Sequence, residues 1–474
     1  MSTSLPWTKE FIAASTNAKV ISEVHPGFAR IETDTRKLQK GDFFIALKGD
    51  AFDAHSFVAQ AVEKGAAGVL VHKWEEAWEN YRFKTNFYLV KDTLTALQDM
   101  AIFHRRHLKT WLAAMTGSNG KTTTKEFSAA ILKNFRNVHW SHGSFNNHWG
   151  VPFTLLDLKP EHNVGLIEMG MNHSGEIKRL MEIAEPDCVV CTMVGRAHIE
   201  HFGSIDKIAD AKAEIYENAK KSAVGIFNIE NPYTRRMSEI YGPKMAKQIT
   251  FSSQDKTADI FLQVVGQTLD TIQLRGCILG KLGDRTLNLF GVQNVVNISA
   301  AAGIGLAAGL SSDQIWENLK QCKSYWGRNQ KIELSSGAQV LFDAYNANPD
   351  SMYALLENVK SLTGFKRKIG FFAQMKELGN FSKQEHEKLG EYAAQAGYEQ
   401  LYFYGPDHES FKTGVGNKKF DGELETHPDF SKDWVNELKG SFTAGDLLTF
   451  KASRGMEMER VVQILDPALD FHKE

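Results

Sequence analysis

The chemistry of this chain starts at the run Met115-Thr116-Gly117-Ser118-Asn119-Gly120-Lys121-Thr122-Thr123-Thr124. Gly117 and Gly120 let the backbone curl around phosphate oxygens, Lys121 supplies a point charge, and Thr122 can offer a hydroxyl to Mg²⁺. The apolar run Trp111-Leu112-Ala113-Ala114 ahead of it reads as a strand, and Lys125 to Leu132 behind it as a helix. A strand, a Gly-rich turn and a helix N-terminus together form an anion site, where unpaired N–H groups and the helix dipole converge. Met115 stands where the longer P-loop pattern has its first Gly, so this is a shortened relative of that loop. Gly117, Ser118, Asn119, Gly120, Lys121, Thr122 and Thr123 are therefore expected to hold ATP.

Other candidates lie at strand ends, where open α/β sheets bind ligands. Glu168 closes the run Val164-Gly165-Leu166-Ile167 and is placed as a carboxylate ligand for the Mg²⁺ that escorts the nucleotide. His198 follows the next strand by four residues. Mg²⁺ prefers oxygen ligands, so His198 on its own reads as an ordinary turn histidine. Lys212 shares one helical face with Ile208, Ala211 and Ile215, and an ammonium there either snorkels to water or has a partner. In Asp343-Ala344-Tyr345-Asn346-Ala347-Asn348-Pro349-Asp350-Ser351, turn and cap chemistry accounts for Asn348, Pro349 and Asp350. It does not account for Asp343 at a strand end or for Asn346 beside it, which suit hydrogen bonds to a sugar or substrate.

The elements that must position these groups are α/β throughout. Residues 1–108 alternate short strands (Phe43–Leu47, Gly68–Val71) with a helix at Ser56–Val62, and close on a helix from Thr93 to Arg106. Residues 109–325 repeat the pattern on a larger scale, with strands at Val164–Glu168 and Asp187–Val194 and helices at Glu176–Ala184 and Ile205–Tyr216. Runs of β type over 249–290 break that rhythm, and a helix starts near Gln293. Residues 326–474 form another αβ domain, with strands at Val340–Asp343, Ile369–Ala373, Leu401–Tyr404 and Leu447–Lys451. A chain of 474 residues is too long for one ordinary core.

Composition narrows the class. A net charge of −2 argues against a general nucleic-acid-binding surface, and no apolar run approaches the ~20 residues of a membrane span. Met1 to Lys9 lacks the basic and apolar regions of a signal peptide. Four cysteines are few for this length; Cys188 and Cys191 fall on opposite faces of an apolar strand and read as core thiols rather than a redox or zinc pair. The expectation is a cytoplasmic, reduced protein.

Taken together the motifs resemble the Mur ligases, ATP-dependent amide-forming enzymes of peptidoglycan precursor synthesis, nearly end to end. Asp34-Thr35-Arg36, Gly41 to Gly49 and Asp53 to Phe57 resemble the family's UDP-binding domain, and Phe145-Asn146-Asn147-His148-Trp149-Gly150 resembles the loop that meets the UDP-sugar. The Asp343–Ser351 motif resembles the branch that adds D-alanyl-D-alanine to UDP-N-acetylmuramoyl-tripeptide; the Asp-Asn-Pro-Arg motif of the diamino-acid-adding branch is missing. The resemblance implies three domains: an N-terminal UDP-sugar domain, a central P-loop parallel sheet that binds ATP, and a Rossmann-like C-terminal domain. It implies substrate contacts from Thr35, Arg36, Lys48, Gly49, Asn146, Asn147, Asn346, Asn348 and Ser351. Lys121, Glu168, His198 and Lys212 become the catalytic set, with Thr122, Glu168 and His198 on Mg²⁺ and Lys212 carbamylated. Asn294 is implied at the adenine, and Arg328 and Asp343 at the phosphates and ribose. Gln293, Gln374 and Ala452 depart from residues frequent in the family. A monomer that spans no membrane is expected. The rival readings are a diamino-acid-adding or other ligase of the superfamily, and a nucleotide-binding regulator without chemistry.

Overall fold

A computed structural model describes residues 7–49 and 52–469, so Met1–Lys9 lies mostly outside the described residues. The backbone forms two compact units. The first comprises residues 1–110 with the segments 141–162 and 179–185, and the second comprises 111–140, 163–178 and 186–474.

In the first unit a five-stranded sheet runs in the order Lys19–Ser22, Asn86–Leu89, Gly68–Val71, Phe43–Ile45, Ile31–Glu32. Its first pair is antiparallel and the rest parallel. The expected helix at Ser56–Val62 begins instead as a 3₁₀ turn, Ala54–Phe57, and continues as an α-helix over Val58–Glu63. The reason is Asp53, whose side chain accepts the His55 N–H and tightens that first turn. Phe44, Val58, Val62, Val69, Trp78 and Phe87 fill the core of this unit.

The second unit carries two sheets. The larger has nine strands, and its parallel part runs from Lys247–Ser252 through Val224–Asn228, Cys188–Cys191, Trp111–Thr116 and Val164–Glu168 to Val138–Trp140. Ile260–Gln267 extends that part, and Ile272–Ile278 and Lys281–Leu287 fold back antiparallel. This meander is the break in rhythm over 249–290. Cys188 and Cys191 are both buried, and burial pushes the Cys191 thiol up to about 11, which makes both inert core thiols.

The central strand Trp111–Thr116 sits at the topological switch point: the chain leaves it for the sheet edge and returns on both sides. Register pairs Met115 with Glu168 on one side and Thr116 with Cys191 on the other. The strand expected at Asp187–Val194 ends early, at Cys191. After one more main-chain bond, from the Thr192 N–H to Thr116 O at 2.9 Å, Thr192, Met193 and Gly195 bond to the Gly117–Asn119 loop.

The second sheet has six strands in the order Gln330–Glu333, Gln339–Phe342, Asp446–Lys451, Arg367–Ala373, Gln400–Tyr404, Glu423–His427. All neighbours except the first pair are parallel. Because Phe342 pairs with Phe450, the residues that follow, Asp343 and Lys451, emerge side by side.

Candidate active site

The Gly-rich loop takes the shape its residues demand. Gly117 has φ +148° and Gly120 φ +84°, and a Cβ on Gly120 would lie 2.1 Å from Asn297 Oδ1. Gly120 caps the helix Lys121–Leu132 with no side chain bonded to the first-turn amides. N–H groups left without a capping side chain, with the helix dipole behind them, suit an anion. The loop is pinned from the neighbouring strand: Thr192 Oγ1 donates to Asn119 O at 2.6 Å, and Ser118 Oγ bonds Gly195 both ways at 2.8 and 2.9 Å.

Lys121 Nζ donates to Gly117 O at 2.7 Å, and burial holds its ammonium below the usual lysine value despite Glu168 nearby. Thr122 Oγ1 donates to Glu168 Oε2 at 2.9 Å. A hydroxyl and a carboxylate side by side at the phosphate end of the loop are the oxygen donors Mg²⁺ takes when substrate phosphates and water complete its shell. Among the described residues no group of three or more His, Cys, Asp or Glu could hold an ion. The donor set fits a cation that arrives with the nucleotide.

His198 and Lys212 flank this centre. His198 sits in the left-handed region (φ +61°) ahead of the short helix Ile199–Phe202, and Nδ1 lies 2.7 Å from Glu377 Oε2. Desolvation lowers the His198 pKa, and the imidazole beside Glu377 lowers that carboxyl in turn. Lys212, on the helix Ile205–Glu217, is 1% exposed, so it does not snorkel to water. Burial, reinforced by the Lys121 charge, lowers its pKa to about 7. No carboxylate pairs with it among the described residues.

A cavity of about 290 Å³ opens beside the loop, lined by Asn119, Gly120, Thr123, Asn294, Arg328 and Asp343 among others. Asn346 and Ser351 also line it. Asn294 is partly committed, donating to Phe290 O at 2.8 Å and accepting from Asn297 at 3.2 Å. The Arg328 guanidinium lies 4.4 Å over the Tyr345 ring, and its Nε is buried without a hydrogen-bond partner among the described residues. Asn348 caps the helix Pro349–Lys360 in a reciprocal box with Ser351 and also pairs with Asn119.

In the first unit, Thr35 and Arg36 line a separate cavity of about 420 Å³ with Phe52 and Phe57, which stack at 5.5 Å. Lys48 and Gly49 are not among its lining residues; they belong to a turn closed by the Lys48–Asp53 bridge. Asn147 Oδ1 accepts the Gly150 N–H at 2.8 Å, a turn that starts the helix Gly150–Leu156.

Four participants escaped the sequence reading. Lys125 is fully buried, with Nζ 3.3 Å from Glu126 and 3.9 Å from Glu168. Lys451 donates to Asp343 Oδ2 at 2.5 Å and to Asn346 O at 3.3 Å. Arg196 binds Asp350 by main chain (2.7 Å) and guanidinium (2.8 Å). Glu377 meets His198. The last three act across elements more than 100 residues apart, and no local pattern records that. The Lys125-Glu126 pair beside Thr124 was the one available signal.

A P-loop at a switch point, a buried carboxylate against its threonine and a buried neutral-prone lysine define an ATP-handling enzyme of α/β architecture. Three family models match the chain: Mur ligase family, catalytic domain, over residues 28–105; Mur ligase middle domain over 115–305; and Mur ligase, glutamate ligase domain over 327–454. The chain belongs to the Mur ligase family and is MurF-like. It is 35% identical to the UDP-N-acetylmuramoyl-tripeptide--D-alanyl-D-alanine ligase of Bacillus subtilis over 92% of each chain. MurF from Acinetobacter baumannii superposes with a TM-score of 0.86 at 29% identity, covering 97% of this chain and 98% of that one. MurF from Thermotoga maritima, solved in complex with ADP, gives 0.80 at 27%, over 92% of this chain and 96% of that one.

Proposed function

We propose that this chain joins D-alanyl-D-alanine to UDP-N-acetylmuramoyl-tripeptide, using ATP through an acyl phosphate. The observation that carries the reading is end-to-end likeness to ligases of that name, together with the intact set Lys121, Thr122, Glu168, His198 and Lys212.

The γ-phosphoryl group of ATP passes to the terminal carboxylate of the tripeptide, forming one P–O bond as the bond to ADP breaks. Lys121 and the first-turn amides of its helix neutralise the charge that gathers on the phosphoryl oxygens. Mg²⁺, held by Thr122 and Glu168 and at a second position by His198, would add to that neutralisation. The amine of D-alanyl-D-alanine attacks the activated carbonyl carbon, and the tetrahedral adduct expels phosphate and loses one amine proton to give the amide. Arg328 and Asp343 are assigned to the phosphates and ribose, Asn294 to the adenine, and Thr35, Arg36, Asn146 and Asn147 to the UDP-sugar. The neutral amine of Lys212, which burial makes accessible around its lowered pKa of about 7, adds to carbon dioxide and loses a proton, leaving an anionic carbamate near the cation sites. No helix among the described residues is long and apolar enough to cross a membrane, and the nucleotide substrates suit a cytoplasmic location.

The test is phosphate release from MgATP and UDP-N-acetylmuramoyl-tripeptide, with and without D-alanyl-D-alanine. Release that needs both partners supports the reading. Release only with UDP-N-acetylmuramoyl-dipeptide and a diamino acid moves the chain to the other branch, and silence with every pair leaves a nucleotide-binding protein without chemistry.

A further inference from the structure

Two non-glycine residues hold left-handed backbone conformations and face each other across the central and last sheets of the second unit. His198 has φ +61° and Glu377 φ +63°. Such conformations are strained for a residue with a side chain and persist where the surroundings over-determine them. Here they bring His198 Nδ1 to 2.7 Å from Glu377 Oε2, short in distance though not well aligned as a hydrogen bond. Two further contacts fix the approach: the Glu200 N–H donates to Glu377 O at 3.3 Å, and a Cβ on Gly379 (φ +50°) would come to 3.0 Å from Glu200 Cγ.

The same loop is held at its other end. The Arg196 main-chain N–H and guanidinium both bind Asp350, and Nη1 lies 3.3 Å from Glu385 Oε2. The residues around His198 are thus moored on one side to the loop at Glu377 and on the other to the helices Pro349–Lys360 and Ser382–Ala394. With Nδ1 facing the Glu377 carboxylate at 2.7 Å, Nε2 is the other ring nitrogen and the one available to ligate a cation; a carboxylate beside the first nitrogen is how the tautomer and orientation of a metal-binding histidine are fixed.

We infer that Glu377 is a positioning residue for the cation held by His198, so that this ligand is correctly aimed only while the loop Gln374–Gly379 is docked beside it. The inference rests on the reading of His198 as a cation ligand given above.

The test counts and titrates Mn²⁺ by electron paramagnetic resonance on the full chain with a non-hydrolysable ATP analogue. The variants are H198A, E377A and E377Q, each checked for an unchanged thermal midpoint. Glu377 is exposed, so its substitution leaves the core intact. E377A is expected to weaken the His198-dependent Mn²⁺ by about tenfold. E377Q keeps an acceptor for Nδ1–H and is expected to stay within about threefold of the parent. If H198A weakens Mn²⁺ binding and E377A does not, the role of Glu377 is overturned. Equal losses in E377A and E377Q also overturn it, because charge and not orientation would then matter. If H198A itself changes nothing, the cation reading of His198 fails, and the inference goes with it.

Discussion

Asn119 of the Gly-rich loop and Asn348 at the cap of the helix Pro349–Lys360 exchange two amide hydrogen bonds, of 2.8 and 3.2 Å. The Gly-rich turn proposed to hold phosphate is thus bonded directly to the first turn of the helix Pro349–Lys360. Asn348 Oδ1 also accepts the Ser351 N–H at 3.0 Å, so one side chain caps its helix and ties it to the P-loop. The two duties separate by substitution. Asn348→Ala removes both and is expected to cost about 1 kcal/mol from the lost cap. Asn348→Asp keeps the cap but loses the donor to Asn119 and adds a negative charge beside the phosphates. Its unfolding midpoint should match the parent while its KM for ATP rises severalfold; an unchanged KM would separate the pair from nucleotide binding.

Lys121→Ala should abolish ligation, with phosphate release reduced by at least about 10³-fold, the scale of a lost transition-state charge partner. Stability should not fall, because burial already lowers the pKa of this ammonium and removing it relieves that desolvation. Circular dichroism melts beside the phosphate assay check both. Near-normal turnover would refute the phosphate role.

Lys212 carries the pH dependence. Its folded pKa is lowered to about 7 from 10.5, so the native state binds fewer protons than the unfolded chain between those values. Its contribution to stability is therefore full above pH 10.5 and is lost as pH falls through about 7. The neutral amine that takes up carbon dioxide shares that midpoint. With ¹³C-bicarbonate, a carbamate resonance should appear at pH 8, fade toward pH 6 and be missing in Lys212→Ala. That variant should be inactive and partly rescued by a small added carboxylate. Unaltered activity would remove Lys212 from the mechanism.

Lys451 and Asp343 form a buried pair, with Lys451 2% exposed. Lys451→Met leaves the Asp343 carboxylate without its cation and should destabilise the chain by about 3–5 kcal/mol. Adding Asp343→Asn should recover much of that loss, because the stranded charge goes too. Urea midpoints of the two singles and the double decide it. Strict additivity would show that the pair is not coupled.

Gly120→Ala combines a backbone at φ +84° with a Cβ 2.1 Å from Asn297 Oδ1. Both penalties fall on the loop proposed to hold phosphate, so ADP affinity measured by calorimetry should drop by at least tenfold, on the order of 1.4 kcal/mol. Retained affinity would mean that the loop relaxes around the methyl group.

The elements were legible where local chemistry decided them. The strand Val164–Glu168 and the helix Glu176–Ala184 fall at the residues their periodicity predicts, and the P-loop was readable because glycine, lysine and threonine must each stand at a fixed offset from a helix N-terminus. Membership of the Mur ligase family was legible for the same reason, since its motifs are runs of adjacent residues. What sequence could not determine is what becomes adjacent only after the sheets form. The pairing of Phe342 with Phe450 brings Lys451 to Asp343, and the early end of the strand at Cys191 frees Thr192 and Gly195 to hold the Gly-rich loop. Lys212 was left open between snorkelling and partnership because a helical face does not reveal its surroundings. Tertiary packing decided it by removing water, the source of both the lowered pKa and the chemistry proposed for that amine.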